Sequence, residues 1–237
     1  MSKVNRRKLL KEPDEFLTFS EQAVRWCQEN SRVVIYVVVL AVLAVGFGVG
    51  FNAYLDHRAE QAAAAMDQAF DTFAVAVEGK GGQAMSQAAL KSLEGVVKTY
   101  GATPAGIQAR LALGALLLEK GKFKEAVPVF QELTQDTATP PELIPLAWHG
   151  LGVALEGAKK YQDAAEAYDA AIAAAGPSLA LGFRLDQARV LAAAGKRDKA
   201  AQLYRQVLRE AAGQPLAQVA RASLVDLGLD PGSQAKE

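Results

Sequence analysis

The sequence predicts an all-α protein: one membrane-crossing helix near the N-terminus, then an α-solenoid of about three to four helical hairpins closed by a capping helix. Three observations predict it. An apolar block runs without interruption from Val33 to Phe51. Alanine runs such as Gln61 to Met66 and Ala170 to Ala175 favour helix, because alanine loses no side-chain rotamer entropy on helix formation. A pattern of small and aromatic residues recurs at steps of 38 and 36 residues, and a fixed period in that range marks a stacked-repeat architecture.

Residues 1–32 read as a cytoplasmic segment, 33–55 as the membrane helix, 56–229 as the repeat domain and 230–237 as a flexible tail. Nineteen residues from Val33 to Phe51, each apolar, Tyr or Gly, give roughly 28 Å of helix, close to the hydrocarbon thickness of a bilayer. The competing reading is a cleaved signal peptide. It fits poorly, because the apolar core is too long and Phe51-Asn52-Ala53 puts a large side chain where cleavage wants a small one.

Lys3, Arg6, Arg7, Lys8, Lys11, Arg25 and Arg32 precede the span, and Arg58 alone follows within twenty residues. Positive charge is retained on the cytoplasmic side, so the N-terminus is expected inside and the long C-terminal part outside, which in a bacterium means an inner-membrane protein facing the periplasm. Ahead of the span, Pro13 and Asp14 suit a helix start, and Phe16, Phe19, Ala23 and Cys27 recur at three- and four-residue steps, as in a short amphipathic helix with Trp26 at headgroup depth. A plain extension of the anchor explains that segment equally well. Within the span, Gly46 and Gly50 form a G-x-x-x-G that would let two helices approach and form a homodimer, although glycine is common in membrane helices.

Downstream, Asn52 to Glu78 reads as a long helix with Met66, Phe70, Phe73 and Val77 on one stripe, broken at Lys80-Gly81-Gly82. Ser86 to Tyr100 makes its partner through Leu90, Leu93 and Val97. Trp148, Leu151, Gly152, Leu155, Tyr161, Ala164, Tyr168, Ala171 and Pro177 then fall at the spacing W-x2-L-G, A-x3-F, P. Thirty-eight residues earlier stand Leu113, Gly114, Leu117, Gly121, Phe123, Ala126, Phe130 and Leu133, with Arg110 in the tryptophan's place. Thirty-six residues later, Leu191, Gly195, Ala200, Tyr204 and Val207 keep the phase, but Arg184, Gln187 and Ala188 replace the signature of the first helix, so this copy reads as degenerate. The surplus over the usual period is assigned to loops at Thr139-Pro140-Pro141-Glu142 and Gly176-Pro177-Ser178. Pro215 to Leu227 reads as the capping helix.

These residues resemble the tetratricopeptide repeat family. The physical sense of the pattern is packing: Gly114 and Gly152 remove side chains where the two helices of a repeat cross, Ala126 and Ala164 do so on the second helix, and Phe130 and Tyr168 fill the space opened beside them. The resemblance implies a concave groove lined by the first helix of each repeat. Carried over by phase, its lining is Gln108, Leu111, Ala115 and Leu118, then Leu146, His149, Val153 and Glu156, then Leu185 and Arg189. That groove is mostly apolar. Leu111, Ala115 and His149 do not supply the lysine, asparagine and arginine with which some members clamp a terminal carboxylate, and the groove suits an extended apolar segment or an amphipathic helix, unless the chain's own terminal helix fills it.

No catalytic reading competes. The two histidines, His57 and His149, are far apart in sequence, and no His-x-x-x-His, Gly-x-Ser-x-Gly or phosphate-cradling loop is present, so neither an enzyme nor a cofactor or metal site is expected. Lys plus Arg balance Asp plus Glu at 26 each, leaving no basic field for nucleic acid. The lone Cys27 precedes the span, so it forms no intramolecular disulfide and is not placed as a lipidation site.

The layout as a whole resembles the bacterial ancillary Sec translocon subunits with tetratricopeptide domains. That resemblance implies an accessory factor contacting translocon subunits, periplasmic chaperones or exported polypeptides. A cell-envelope assembly or division scaffold with one dedicated partner is the alternative.

Overall fold

The structure is a computed structural model that describes residues 23–77 and 82–231. The amphipathic stretch with Pro13, Asp14, Phe16 and Phe19, the Lys80-Gly81 break and the end of the tail lie outside the described residues. All regular structure among the described residues is helical. The chain divides into two units, Met1–His57 and Arg58–Glu237.

In the first unit, residues 23–29 are helical and a turn at Asn30, whose side-chain Nδ2 donates to the Trp26 carbonyl oxygen at 3.0 Å, leads into helix α1, Ser31–Val77. Its apolar side chains stand exposed, among them Val37, Leu40, Leu43 and Phe47. This helix is long and apolar enough, by length and composition, to cross a membrane.

The second unit contains the end of α1 and then α2 (Gly82–Tyr100), α3 (Pro104–Glu119), α4 (Phe123–Gln135), α5 (Ile144–Gly157), α6 (Tyr161–Ala174), α7 (Pro177–Ala193), α8 (Arg197–Glu210) and α9 (Pro215–Asp226). From α2 onward each helix packs on its sequence neighbour, α3 also touches α5, and α7 touches α9, which is the neighbour-only contact scheme of a solenoid. Two boundaries differ from the sequence reading. The helix expected from Ser86 begins at Gly82, and Gly176-Pro177-Ser178 is not a loop: Gly176 is the N-cap and Pro177 the first residue of α7.

The local grammar repeats. Each first helix, α3, α5, α7 and α9, has proline in its opening positions, where the missing amide hydrogen has no intrahelical partner to lose. Thr103 adds a side-chain cap to α3, its Oγ1 accepting from Gly106 N at 3.1 Å. Each second helix, α4, α6 and α8, has a lysine N-cap and an acid in its first turn, Glu125, Asp163 or Asp198, facing the positive end of the helix dipole.

Between the two helices of a repeat the same hydrogen-bond pair closes the turn: Lys122 N to Leu117 O, Lys160 N to Leu155 O and Lys196 N to Leu191 O, each 2.8 Å, with the preceding amide bonding back three residues. This closure requires one residue with left-handed backbone. Gly121 and Gly195 supply it at φ 70° and 79°, whereas the middle repeat uses Lys159 at φ 62°.

The core is a column of small residues and rings on the second helices. Ala126, Ala164 and Ala200 are wholly buried, with Phe130, Tyr168 and Tyr204 one turn on and Leu133, Ala171 and Val207 a turn beyond. Met66 and Ala69 of α1 join the same apolar cluster as Leu90 and Leu93 of α2. The copy read as degenerate forms as complete a hairpin as the others. Arg184 is no gap in its packing: it pairs with Glu210, as Arg110 pairs with Asp136 at 3.2 Å, and both pairs are 26 residues apart. Trp148 occupies the same phase in the middle repeat and packs against the apolar core, with Ala174 where the acid would be.

Candidate binding groove

All ten residues assigned to the groove by phase sit on α3, α5 and α7, and each is half-buried or exposed. Leu111, Leu118, Val153 and Leu185 are half-buried and pack against the core, while Leu146 is 38 % exposed. The terminal helix α9 packs against α7 and α8, in the place of a further first helix, and does not lie across α3 or α5.

Two joints between repeats set the character of this face. At the first, a Cβ added to Gly114 would stand 2.6 Å from Phe130 Cζ, and one added to Gly150 would overlap the same ring. Phe130 is thus clasped between a glycine of its own repeat and a glycine of the next. The sequence reading had Gly114 but missed Gly150, because the motif marks pairs within a repeat and the joint to the next repeat crosses a loop of variable length.

At the second joint the ring is Tyr168, against Gly152 of its own repeat, where a Cβ would stand 2.8 Å from Cδ1. The residue matching Gly150 is now Asp186, and the buried phenol needs polar company. Tyr168 Oη donates to Glu156 Oε2 at 3.2 Å, Asp186 Oδ2 lies 3.0 Å from His149 Nε2, and Arg189 donates to Asp186 Oδ1 at 2.9 Å and to Glu156. His149 stacks on Phe183, ring centroids 4.5 Å apart, and lies tilted 5.5 Å from Tyr168. Burial holds the Tyr168 phenol well above its ordinary 10.0, and the negative charge of Asp186 adds to that.

The third copy of the joint follows the same rule. Tyr204 is buried, which raises its pKa; its hydrogen bond with Ser223 and the charge of Arg189 oppose that, while Asp186 and Asp226 reinforce it. His149, Glu156 and Arg189 therefore belong to one network with Asp186, which sequence reasoning did not single out. Its signal was available: an acid where the preceding repeat has glycine. Arg189, assigned to the groove by phase, is an inter-repeat cross-link to Glu156. Among the described residues no three His, Cys, Asp or Glu side chains converge as metal ligands.

Family models described as tetratricopeptide repeat match residues 86–142, 111–180 and 185–218. Among solved structures, one of Podosopora anserina putative kinesin light chain nearly identical TPR-like repeats is 20% identical, covering 72% of this chain and 85% of its own at a TM-score of 0.56. A second structure of the same repeats is 18% identical, covering 73% and 84% at a TM-score of 0.50. At such identities the likeness concerns the fold. No curated protein matches the chain.

Proposed function

Starting from a chain that carries tetratricopeptide repeats across residues 86–180 and 185–218, we propose that it is a membrane-anchored protein–protein interaction module. Such repeats are typically a non-catalytic scaffold that binds protein partners. The observation that carries the proposal is a row of half-buried and exposed side chains, Leu111 to Arg189, on the first helices α3, α5 and α7 of a repeat stack, on the same chain as a helix whose apolar side chains stand exposed.

The first nineteen apolar residues of that helix expose far more contiguous hydrocarbon than a water-facing surface tolerates, and a bilayer is the solvent that removes the cost. The flanking charges favour a cytoplasmic N-terminus, which puts the repeats in the periplasm of a bacterial inner-membrane protein anchored through residues 33–55. In that position the module acts as an accessory factor of the Sec translocon, joining it to periplasmic chaperones or exported polypeptides through the groove of Gln108, Leu111, Ala115, Leu118, Leu146, His149, Val153, Glu156, Leu185 and Arg189.

The test is detergent extraction and pull-down at native expression, with protease treatment of spheroplasts to fix topology. Translocon or chaperone subunits in the eluate and a repeat domain digested from outside are expected. An eluate without either, or a domain protected until lysis, contradicts the proposal, and one stoichiometric envelope partner instead makes the protein a dedicated assembly scaffold.

A further inference from the structure

Charge divides the face assigned as the groove into unlike halves. On α3 it presents Gln108, Leu111, Ala115 and Leu118, none of them ionisable. Over the second and third joints it presents three carboxylates from three successive first helices, Glu156 of α5, Asp186 of α7 and Asp226 of α9, against a single guanidinium, Arg189. Arg189 bridges Glu156 and Asp186, His149 sits on Asp186, and Asp226 stands one helical turn past Ser223, the hydrogen-bond partner of Tyr204, on a helix packed against α7, so the acids belong to one stretch of this face.

The side chains are reachable: Asp186 is 32 % exposed and Glu156 19 %, and Asp226 lies on the exposed side of α9. Arg189 already donates to Glu156 and Asp186 and does not balance the patch. A carboxylate oxygen that accepts one hydrogen bond keeps a second lone pair, so this acidic end can still accept from an incoming ammonium or guanidinium. A partner carboxylate would meet three like charges instead.

We propose that the groove recognises a polypeptide segment in which an apolar stretch adjoins a cluster of lysine or arginine, the apolar side chains lying over Leu111, Ala115 and Leu118 and the basic ones over Asp186 and Asp226. The proposal rests on the groove being the binding face. It adds the chemistry of the occupant, which the mostly apolar lining alone does not define. Charge complementarity of this kind selects among partners and speeds their encounter, and it weakens as salt screens it.

The experiment uses the full chain in a neutral detergent and three fluorescent synthetic peptides that share a Leu/Ala stretch and end in a run of Lys, Ser or Glu. Anisotropy is expected to give about tenfold tighter binding for the Lys peptide than for the Ser peptide, weaker binding still for the Glu peptide, and a preference that shrinks with added salt. Asp226→Asn, a substitution on the exposed side of α9, is expected to reduce the ratio of Lys-peptide to Ser-peptide affinity, and Asp186→Asn with it should abolish the preference.

Equal binding of the three peptides, or a preference for Glu, overturns the charge assignment while leaving the groove as the binding face. Failure of every peptide to bind, or Ser-peptide binding indifferent to Leu111→Ser, overturns the groove reading and the charge assignment with it.

Discussion

The joint around Phe130 and the joint around Tyr168 solve one packing problem in two chemistries. Both place a ring on the second helix against a glycine of its own first helix. At the next repeat the apolar ring meets Gly150, while the phenol meets Asp186 and the network of His149, Glu156 and Arg189. A single hydroxyl separates Phe from Tyr, but a buried hydroxyl without a partner costs about 1–3 kcal/mol, so the second joint imports polar groups that the first does not need. The consequence reaches the surface: the face above the first joint is apolar and that above the second is charged. What this face presents to its surroundings is thus partly set by what the core requires.

The largest effect should come from removing a ring. Phe130→Ala should destabilise the domain by about 3–5 kcal/mol in urea titration, because the cavity opens toward two repeats at once. Gly150→Ala should cost about 1–3 kcal/mol by pressing a methyl into the Phe130 ring, and the double variant should cost less than the sum of the two, which a double-mutant cycle measures.

Alkaline pH separates the two joints. Tyr168 has a folded pKa above its unfolded 10.0, so its burial contributes fully below pH 10 and that contribution falls as pH rises past 10, by up to about 1.4 kcal/mol per pH unit. Unfolding followed against pH should show this loss, and Tyr168→Phe should reduce it, whereas changes at Phe130 should leave the slope as it is.

The connecting turns give the next contrast. Lys159→Gly should stabilise by about 1 kcal/mol, since Gly121 and Gly195 already fill the left-handed position in the flanking repeats, and Tm reads the gain. Arg184→Ala should cost under about 1 kcal/mol, as its partner Glu210 is 43 % exposed and the pair is partly screened; thermal melts in low and high salt check it.

The same comparison explains what the sequence disclosed. The helical hairpins, their phase and the pairs Gly114–Phe130 and Gly152–Tyr168 were legible, because residues within a repeat keep fixed spacing. Gly150, Asp186 and Ser223 were not, because the ring-to-next-repeat distance crosses loops whose lengths differ: 20, 18 and 19 residues from Phe130, Tyr168 and Tyr204. The third copy read as degenerate because Arg184, Gln187 and Ala188 stand where the first helix should carry its signature. The pairing of Arg110 with Asp136 and Arg184 with Glu210 shows a second, ionic solution at that position. Pro177 was assigned to a loop, although proline after a cap-forming glycine is equally a helix start.

The most direct test is site-specific photocrosslinking in intact membranes from Leu111, His149 and Leu185. An accessible groove on an anchored repeat domain predicts adducts with other polypeptides from all three positions, and none from a probe at Glu125 on α4. Adducts confined to the chain's own helices, or equal labelling from Glu125, would contradict it.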